Sequence, residues 1–188
     1  GKYILSGSFR RDGASNEFGP NNKYGNFGGV SLGWRMSEEG FMKGSKFFQD
    51  LKLRAGYGIL GNNRILPFAY KNLYFYENGF TSYPINGGNG STAGFSHNII
   101  GNPDVQWEVA GTANIGIDAT MLNNKLQVIL EVYNKKTSKL LFPVELNSTR
   151  YGYVQRQAQN IGEMTNNGLD LTVNYRDNIT SDLRFDAG

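Results

Sequence analysis

Residues 105–121 read "VQWEVAGTANIGIDATM", and this stretch decides the fold class because it alternates along its whole length. Its odd positions are all apolar or small, and its even positions are nearly all polar. A period of two is typical of a β-strand with one apolar and one polar face. Globular strands are usually about 5 or 6 residues long, so this strand needs a special setting. A transmembrane β-barrel supplies it, since a tilted strand needs about 9 to 11 residues to cross the hydrocarbon between lipid and a wet lumen.

The same alternation recurs along the chain and predicts an all-β fold of about seven strands. The other alternating stretches are Tyr3–Phe9, Val30–Met36, Leu51–Ile59, Leu126–Val132, Leu169–Tyr175 and one that begins near Leu183 and Phe185. Long links at about 11–26, 61–104 and 134–161 alternate with short links at about 38–50, 122–125 and 176–182. This order predicts an antiparallel up-and-down sheet with its long loops at one end, as in outer-membrane barrels. No stretch predicts a long helix.

Composition argues against several other classes of protein. The 188 residues contain no cysteine, which rules out thiolate chemistry. They contain a single histidine, which argues against a zinc site and against a Ser-His-Asp triad. The net charge of +3 is spread thinly, which disfavours nucleic-acid binding. No apolar run approaches the ~18 residues of a membrane helix. We therefore expect no cofactor, no metal and no enzymatic activity.

Two motifs resemble enzyme sites, but the neighbouring sequence or the spacing does not fit. Gly56, Gly58 and Gly61 have the spacing of a dinucleotide-binding turn, but the segment that follows is rich in Asn and Pro and opens no helix. We interpret Gly56 and Gly58 as a part of the polar face without side chains, and Gly61 as the exit of the strand into the longest loop. The carboxylate pairs Glu38 with Glu39 and Asp104 with Glu108 lack the spacing of a glycoside hydrolase.

Parity along the strands predicts which side chains line the lumen. These are Lys52, Arg54, Gln106, Glu108, Thr112, Asn114, Asp118, Gln127, Glu131, Asp170, Thr172 and Asn174. Most such positions in a large barrel form a solvated wall or touch an internal plug, and a few contact a hydrated solute.

Aromatic residues suggest two further roles. Rings near strand ends are expected at the membrane interface, namely Phe9, Phe27, Trp34, Phe41, Trp107, Tyr133 and Tyr175. The loop "YKNLYFYENGFTSYPINGGNG" (residues 70–90) concentrates further rings. Candidate substrate contacts are Tyr74, Tyr76, Phe80 and Tyr83 from this loop, together with Trp107; packing against a neighbouring loop or a lid protein is an equally good interpretation.

Several stretches resemble one family of transporters. They are "FGPNNKYGNFGGVSLGWRMSEEGFMK" (18–43), "LKLRAGYGILGN" (51–62), "NPDVQWE" (102–108), "NIGIDATMLNNKLQVILEVYNKKTSKLL" (114–141) and "NIGEMTNNGLDLTVNYR" (160–176). Together they resemble the C-terminal barrel region of SusC/RagA-like TonB-dependent outer-membrane transporters of Bacteroidota. The match covers most of the chain and fades in the long loops, especially about 64–101.

The resemblance implies an outer-membrane, 22-stranded barrel that encloses a plug. It also implies a SusD-like surface lipoprotein as lid, energy from the TonB complex, contact with outer-membrane lipid, and import of oligosaccharides, other glycans or peptides. Residues 1–188 contain no plug, TonB box or signal peptide, and both ends are already alternating. We therefore expect a partial barrel domain truncated at both ends, which the rest of the barrel and the plug would complete.

A soluble carbohydrate-binding or adhesive β-sandwich is the alternative from another class. It explains the alternation through inner faces rich in aromatic residues. It does not explain the length of the strands or the parity of the loops.

Overall fold

The computed structural model describes residues 1–76, 82–84, 91–152, 156–178 and 184–188. The strands, numbered along the chain, are β1 (Tyr3–Gly13), β2 (Tyr24–Arg35), β3 (Phe48–Asn62), β4 (Leu73–Tyr76), β5 (Ser82–Pro84), β6 (Ser91–Ala93), β7 (Phe95–Ile99), β8 (Glu108–Met121), β9 (Leu126–Ser138), β10 (Leu141–Val144), β11 (Gln157–Asn160), β12 (Glu163–Asn178) and β13 (Arg184–Ala187). Seven of them form one sheet in the order β1-β2-β3-β8-β9-β12-β13. All their pairings are antiparallel, so the up-and-down sheet of seven strands is confirmed.

Helix is confined to single turns in the described part of the chain. A 3-10 turn spans Met36–Glu38, and a one-turn helix, α1, spans Ser148–Tyr151. The side chain of Asn147 caps α1 by accepting a hydrogen bond from the backbone N–H of Thr149 at 2.9 Å. Within the described ranges, no helix has the length and apolarity that a membrane span requires.

The register places most polar residues of the long strands on one face. Residues that pair directly across strands point to the same side of a sheet. Arg54 pairs with Gly116, which pairs with Glu131, which pairs with Asp170, so one row crosses four strands. We call this side the polar face. The residues between them, such as Ile115 and Val132, point to the outer face.

The outer face is apolar and exposed. Among its large side chains, Leu5, Phe9, Leu32, Ile115, Leu169 and Leu171 are each more than half exposed. In β8, apolar or small residues occupy every outer position from Val109 to Met121. At ~3.3 Å per residue this run is about 40 Å long, and a tilt of about 40° reduces it to about 30 Å, the thickness of a bilayer core. No second sheet covers this face among the described residues, as a sandwich would require.

The connections differ between the two ends of the sheet. Residues 63–107 and 139–162 form long loops at the end that also holds residues 14–23, which we call the loop end. Residues 36–47 and 122–125 lie at the opposite turn end. Leu122, Asn123 and Asn124 have φ of 56°, 57° and 66°, and the N–H of Lys125 bonds the carbonyl of Leu122 at 3.2 Å, so the short link predicted at 122–125 is a tight hairpin turn.

The predicted alternation of long and short links is wrong for the first link, which joins β1 to β2. The link between β1 and β2 has ten residues, fewer than the twelve between β2 and β3. Pairing continues through polar residues to Asp12↔Gly25 and Gly13↔Tyr24, beyond the apolar part of each strand. Strand ends predicted from hydrophobicity alone therefore fall short.

The long strand starts later than the sequence predicts, at Glu108 rather than Val105. The N–H of Val105 bonds the carbonyl of Asn102 at 3.2 Å in a turn. Val105 and Trp107 are buried in a cluster at the loop end, which we call the loop-end cluster. Its members are Ala14, Phe18, Phe27, Ala69, Val105 and Trp107. Burial under the loops removes these two residues from the alternating strand.

The prediction of a position at the membrane interface is wrong for three aromatic residues, Phe27, Trp107 and Tyr133. Phe27 and Trp107 are 4% and 9% exposed, and their rings pack edge to face with centroids 5.3 Å apart. Tyr133 pairs with Asn114 and Gly168, so it lies on the polar face. Phe9, Trp34 and Tyr175 do lie on the outer face, where their partners are Gly28, Tyr3 and Leu126.

The long loop 63–107 contains two small hairpins that the sequence analysis did not predict. In one, β4 pairs with β7, and in the other β5 pairs with β6. A third hairpin, β10 with β11, lies in the loop 139–162. Leu141 and Ala158 of this hairpin pack against the loop-end cluster. The bases of the loops thus form one packed unit.

Candidate functional site

An ion network occupies the middle of the polar face. Arg54 bonds Asp118 (Nε to Oδ1, 2.9 Å) and Glu131 (Nη1 to Oε2, 2.7 Å). Lys52 Nζ lies 3.8 Å from the other oxygen of Asp118. All four side chains are roughly one quarter to one third exposed. Two cations and two anions therefore compensate each other on this part of the wall.

Gly116 allows Arg54 to reach Glu131, which lies two strands away. It pairs with Arg54 on one side and with Glu131 on the other. A Cβ at Gly116 would lie 3.1 Å from the guanidinium carbon of Arg54. Because Gly116 has no side chain, Arg54 lies flat across β8 and bonds a carboxylate two strands away.

The prediction of a bare glycine surface holds for Gly58 and is wrong for Gly56. A Cβ at Gly56 would lie 2.6 Å from Oδ1 of Asn114, so that amide already fills the space. Asn114 Nδ2 in turn donates to Glu131 Oε1 at 3.1 Å. A Cβ at Gly58 would meet only backbone atoms, 3.9 Å or more away. Of the two, only Gly58 leaves open space in front of its backbone on the polar face.

An open groove of about 420 Å³ follows the polar face from β1 to β9. Its polar lining includes Ser6, Ser8, Ser31, Thr112, Asn114 and Tyr133. Hydroxyl and amide groups both donate and accept hydrogen bonds. The groove can therefore replace the hydration of an uncharged polar solute.

The predicted lumen residues of β9 and β12 also lie on the polar face. Gln127 pairs with Asn174, and Asn174 Nδ2 donates to Gln127 Oε1 at 3.4 Å. Glu131 pairs with Asp170, and Thr172 pairs with Ile129. Thr112 and Asp118 share this side through their partners Gly58 and Lys52.

Gln106 and Glu108 have structural contacts instead of free positions on the wall. Gln106 Oε1 accepts a hydrogen bond from Lys139 Nζ at 2.8 Å, and its backbone N–H donates to Asn160 Oδ1 at 2.9 Å. Glu108 accepts from Asn62 Nδ2 and from the N–H of Leu141, each at 3.4 Å. Both residues join the base of one long loop to the other.

Trp107 is likewise enclosed. Its ring packs against Phe18 and Phe27, with centroids 5.2 and 5.3 Å away. A side chain that is 9% exposed offers little surface to a solute. Its role in this structure is to pack the loop-end cluster.

Two of the candidate contacts in the long loop come together in an exposed aromatic platform. The hairpin of β4 and β7 pairs Tyr74 with His97 and Tyr76 with Phe95, and we call these four residues the aromatic platform. The ring centroids lie 4.4 Å apart in the first pair and 5.2 Å apart in the second. Tyr74, Tyr76 and Phe95 are 59%, 63% and 70% exposed. The hydroxyl of Tyr74 also lies 3.1 Å from Nε2 of His97.

The remaining two candidates in this loop are less informative. Phe80 lies outside the described residues, and Tyr83 pairs through its backbone with Thr92. Sequence reasoning missed Phe95 and His97, because only the hairpin register brings them beside Tyr74 and Tyr76. It also missed Tyr133, although the parity of Gln127 and Glu131 already places this residue on the polar face.

A single antiparallel sheet with an exposed apolar face, a polar face and loops gathered at one end is the wall of a transmembrane β-barrel. A family profile described as "TonB dependent receptor-like, beta-barrel" matches residues 1–188. The chain belongs to this family of TonB-dependent receptors, whose members are outer-membrane proteins.

Relatives of known sequence support the assignment. A TonB-dependent receptor of Formosa agariphila is 38% identical over 172 residues, which cover 92% of this chain and 15% of that protein. The TonB-dependent receptor SusC of Bacteroides thetaiotaomicron is 33% identical over 186 residues, which cover 98% of this chain and 18% of SusC. The chain thus spans less than one fifth of the length of these relatives.

The fold has a solved counterpart. The structure of the RagAB peptide importer in its "closed-closed" state superimposes with a TM-score of 0.80 at 28% identity. The match covers 96% of this chain and 18% of that one. The sheet described above is therefore similar to one part of a larger barrel wall.

Proposed function

We propose that the protein to which this chain belongs is an active transporter of the outer membrane that imports oligosaccharides or other glycans. Residues 1–188 would be a partial barrel domain, completed by further strands to about 22 and closed by an internal plug. A SusD-like surface lipoprotein would act as lid, and the TonB complex would supply energy. The aromatic platform at the loop end carries the proposal.

Ring geometry supports sugars as the substrate class. Tyr74, Tyr76 and Phe95 present more than half of their surface on one side of a hairpin. Aromatic rings offer a large, rigid contact area with few torsions to freeze, and the apolar face of a sugar ring fits such a surface. Hydroxyl groups at the edge, such as that of Tyr74, add hydrogen bonds.

The electrostatics of the polar face support an uncharged solute. The charges of Lys52 and Arg54 are balanced by Asp118 and Glu131. The groove beside them has polar groups from Ser6, Ser8, Ser31, Thr112, Asn114 and Tyr133, and its one carboxylate, Glu131, is paired with Arg54. A path of this kind suits a hydrated, neutral molecule better than a charged one.

Peptides are the second candidate substrate. The related RagAB is described as a peptide importer. A peptide backbone is also polar and uncharged along its length, and it could use the same hydroxyl and amide groups of the groove.

Uptake by cells that carry the full-length receptor tests the proposal. One library of labelled oligosaccharides and one of labelled peptides are offered to the native receptor and to the Tyr74→Ala/Tyr76→Ala variant. Phe41→Ala/Phe47→Ala is a matched control, since it also removes two exposed rings but at the turn end. We expect oligosaccharide uptake to fall about tenfold in the platform variant and to persist in the control.

Three outcomes would contradict the proposal. Unchanged oligosaccharide uptake in the platform variant would remove the role of the platform. Energy-independent uptake, unaffected by loss of the TonB complex, would remove active transport. Uptake of peptides alone would replace glycans by the second candidate.

A further inference from the structure

A cationic cluster lies on the outer face at the loop end, outside the ion network, the groove and the aromatic platform described above. The outer positions of β1 are Tyr3, Leu5, Gly7 and Phe9, and the next is Arg11. Arg11 pairs with Asn26, and Gly13 pairs with Tyr24, so Tyr24 also points outward. The apolar band of this part of the sheet thus ends directly below Arg11 and Tyr24.

One ring holds two cations in this cluster. The guanidinium carbon of Arg11 lies 4.6 Å from the centre of the Tyr24 ring, and Nζ of Lys23 lies 5.5 Å from it. Tyr24 itself rests on Gly13, where a Cβ would lie 3.0 Å from the ring. Contact with an aromatic face steadies the cations without neutralising them. We call Arg11, Lys23 and Tyr24 the rim cluster.

Three other basic residues near the edges of the membrane band have acidic partners. Lys2 pairs with Glu39 at 2.8 Å, Lys125 with Asp177 at 2.7 Å, and Lys136 with Glu163 at 2.8 Å. Among the described residues, neither Arg11 nor Lys23 forms an ion pair. The rim cluster therefore presents two uncompensated positive charges at the edge of the band.

An apolar groove of about 700 Å³ lies below the cluster on the same face. Its outer-face lining includes Val30, Leu32, Ala55, Tyr57, Ala113 and Ile115. Val30 follows Asn26 by four residues on the same face of β2, a distance of about 13 Å at ~3.3 Å per residue. The small side chains of Ala55 and Ala113 leave room for a hydrocarbon chain.

We propose that the rim cluster binds the phosphate group of an anionic lipid in the outer leaflet, while an acyl chain of that lipid lies in the groove. The inference rests on the proposed function and on an orientation in which the loop end faces the outside of the cell, as the long loops of outer-membrane barrels do. Arginine and lysine are the usual protein partners of phosphate. Each cation close to a charged membrane surface strengthens binding about fivefold.

Native mass spectrometry of the full-length receptor in detergent tests this inference. The probes are a monophosphorylated lipid A, the same lipid without its phosphate, and inorganic phosphate. The Arg11→Gln/Lys23→Gln variant removes the two charges of the cluster. Lys43→Gln/Lys46→Gln is the matched control, because it removes two exposed charges from the turn end.

We expect the native receptor and the control to retain the phosphorylated lipid equally. The cluster variant should retain about fivefold less for each charge removed. Equal retention by the cluster variant overturns the inference, and so does equal retention of the dephosphorylated lipid. Complete displacement of the lipid by millimolar inorganic phosphate overturns the commitment to a lipid.

Two measurements keep this test independent of folding and of transport. The heat-dependent gel mobility of the barrel reports whether the variant has folded, and Arg11→Lys, which keeps the charge, should retain the lipid. Lipid retention is measured without substrate or energy source. Loss of lipid binding with normal uptake therefore distinguishes this inference from the proposed transport function.

Discussion

The two ends of the sheet use tyrosine in opposite ways. At the turn end, the rings of Tyr3 and Trp34 stack with centroids 6.5 Å apart, and both donate to the same carboxylate oxygen of Glu39, at 2.8 and 3.2 Å. Lys2 occupies the other oxygen at 2.8 Å. At the loop end, the rings of Tyr74 and Tyr76 pack beside those of His97 and Phe95 and remain exposed. Tyr3 therefore anchors the sheet at the turn end, whereas Tyr74 and Tyr76 are available to a ligand at the loop end.

Electrostatics reinforce this contrast. Hydrogen bonds from Lys2, and then from Tyr3 and Trp34, lower the pKa of Glu39 from its ordinary 4.5 to about 2. Likewise, the hydrogen bond to Asp177 raises the pKa of Lys125. The charges of Lys2, Glu39, Lys125 and Asp177 at the turn end are thus paired with one another. Those of the rim cluster at the loop end have no such partner among the described residues.

Adding a side chain at the loop end should have the largest effect. In Gly61→Leu, the new Cβ would lie 1.9 Å from the Phe27 ring, so the loop-end cluster must open. We expect a loss of about 3 kcal/mol or failure to assemble, measured by urea unfolding of the full-length receptor. Gly40→Leu at the turn end is the control, since nothing lies within 4 Å of its Cβ position. Equal effects of the two changes would refute the packing described for the loop end.

Removing Arg54, between the two ends, should have the next largest effect. Arg54→Met leaves Asp118 and Glu131 without their shared cation. Because the three side chains are only partly buried, we expect a loss of about 2 kcal/mol, less than for a fully buried pair. Lys52→Met, which removes only the 3.8 Å contact, should cost clearly less. If both variants unfold at the same urea concentration as the native receptor, the network has no structural role.

Substitutions in the hairpin turn 122–125 should change the stability of the receptor only through the backbone conformation that they allow. Asn124 has a φ of 66°, which β-branched residues avoid. We expect Asn124→Val to destabilise the receptor by about 1 kcal/mol and Asn124→Gly to leave it nearly unchanged. A destabilised glycine variant would show that the Asn side chain itself is required.

The smallest expected effect is a pH dependence from the turn end. Because the pKa of Glu39 is lowered, its contribution is fully present above pH 4.5 and is lost as the pH falls from 4.5 towards 2. Glu39→Gln should therefore lose less stability than the native receptor across that window, and Glu38→Gln is the matched control. Parallel curves for the native receptor and Glu39→Gln would contradict the hydrogen bonds to this carboxylate.

The sheet could be predicted from sequence because each long strand carries its own alternation. In β8, the pattern from Val109 to Met121 depends only on which face meets lipid. The turn at Asn123 and Asn124 was equally predictable, since Asn tolerates a positive φ. The polar-face row through Arg54 and Glu131 followed from the same parity.

Contacts between distant segments could not be predicted in this way. In the sequence, Trp107 continues the alternation of β8. Its contacts with Phe18 and Phe27 show that it belongs instead to the loop-end cluster. Tyr74 and His97 are 23 residues apart and meet through a hairpin register that no local pattern specifies. The surroundings of each glycine could not be predicted either. The side-chain amide of Asn114 occupies the space beside Gly56, whereas the space beside Gly58 is open.

The orientation of the sheet in the outer membrane is the claim on which the account rests, and labelling in intact cells tests it most directly. The chain has no cysteine, so single cysteines can be placed in a full-length receptor that lacks any others. Asn21→Cys lies exposed at the loop end, and Lys46→Cys lies exposed at the turn end. A membrane-impermeant maleimide should label the first in intact cells and the second only after the envelope is opened. Labelling of Lys46→Cys in intact cells, with Asn21→Cys protected, would contradict the account.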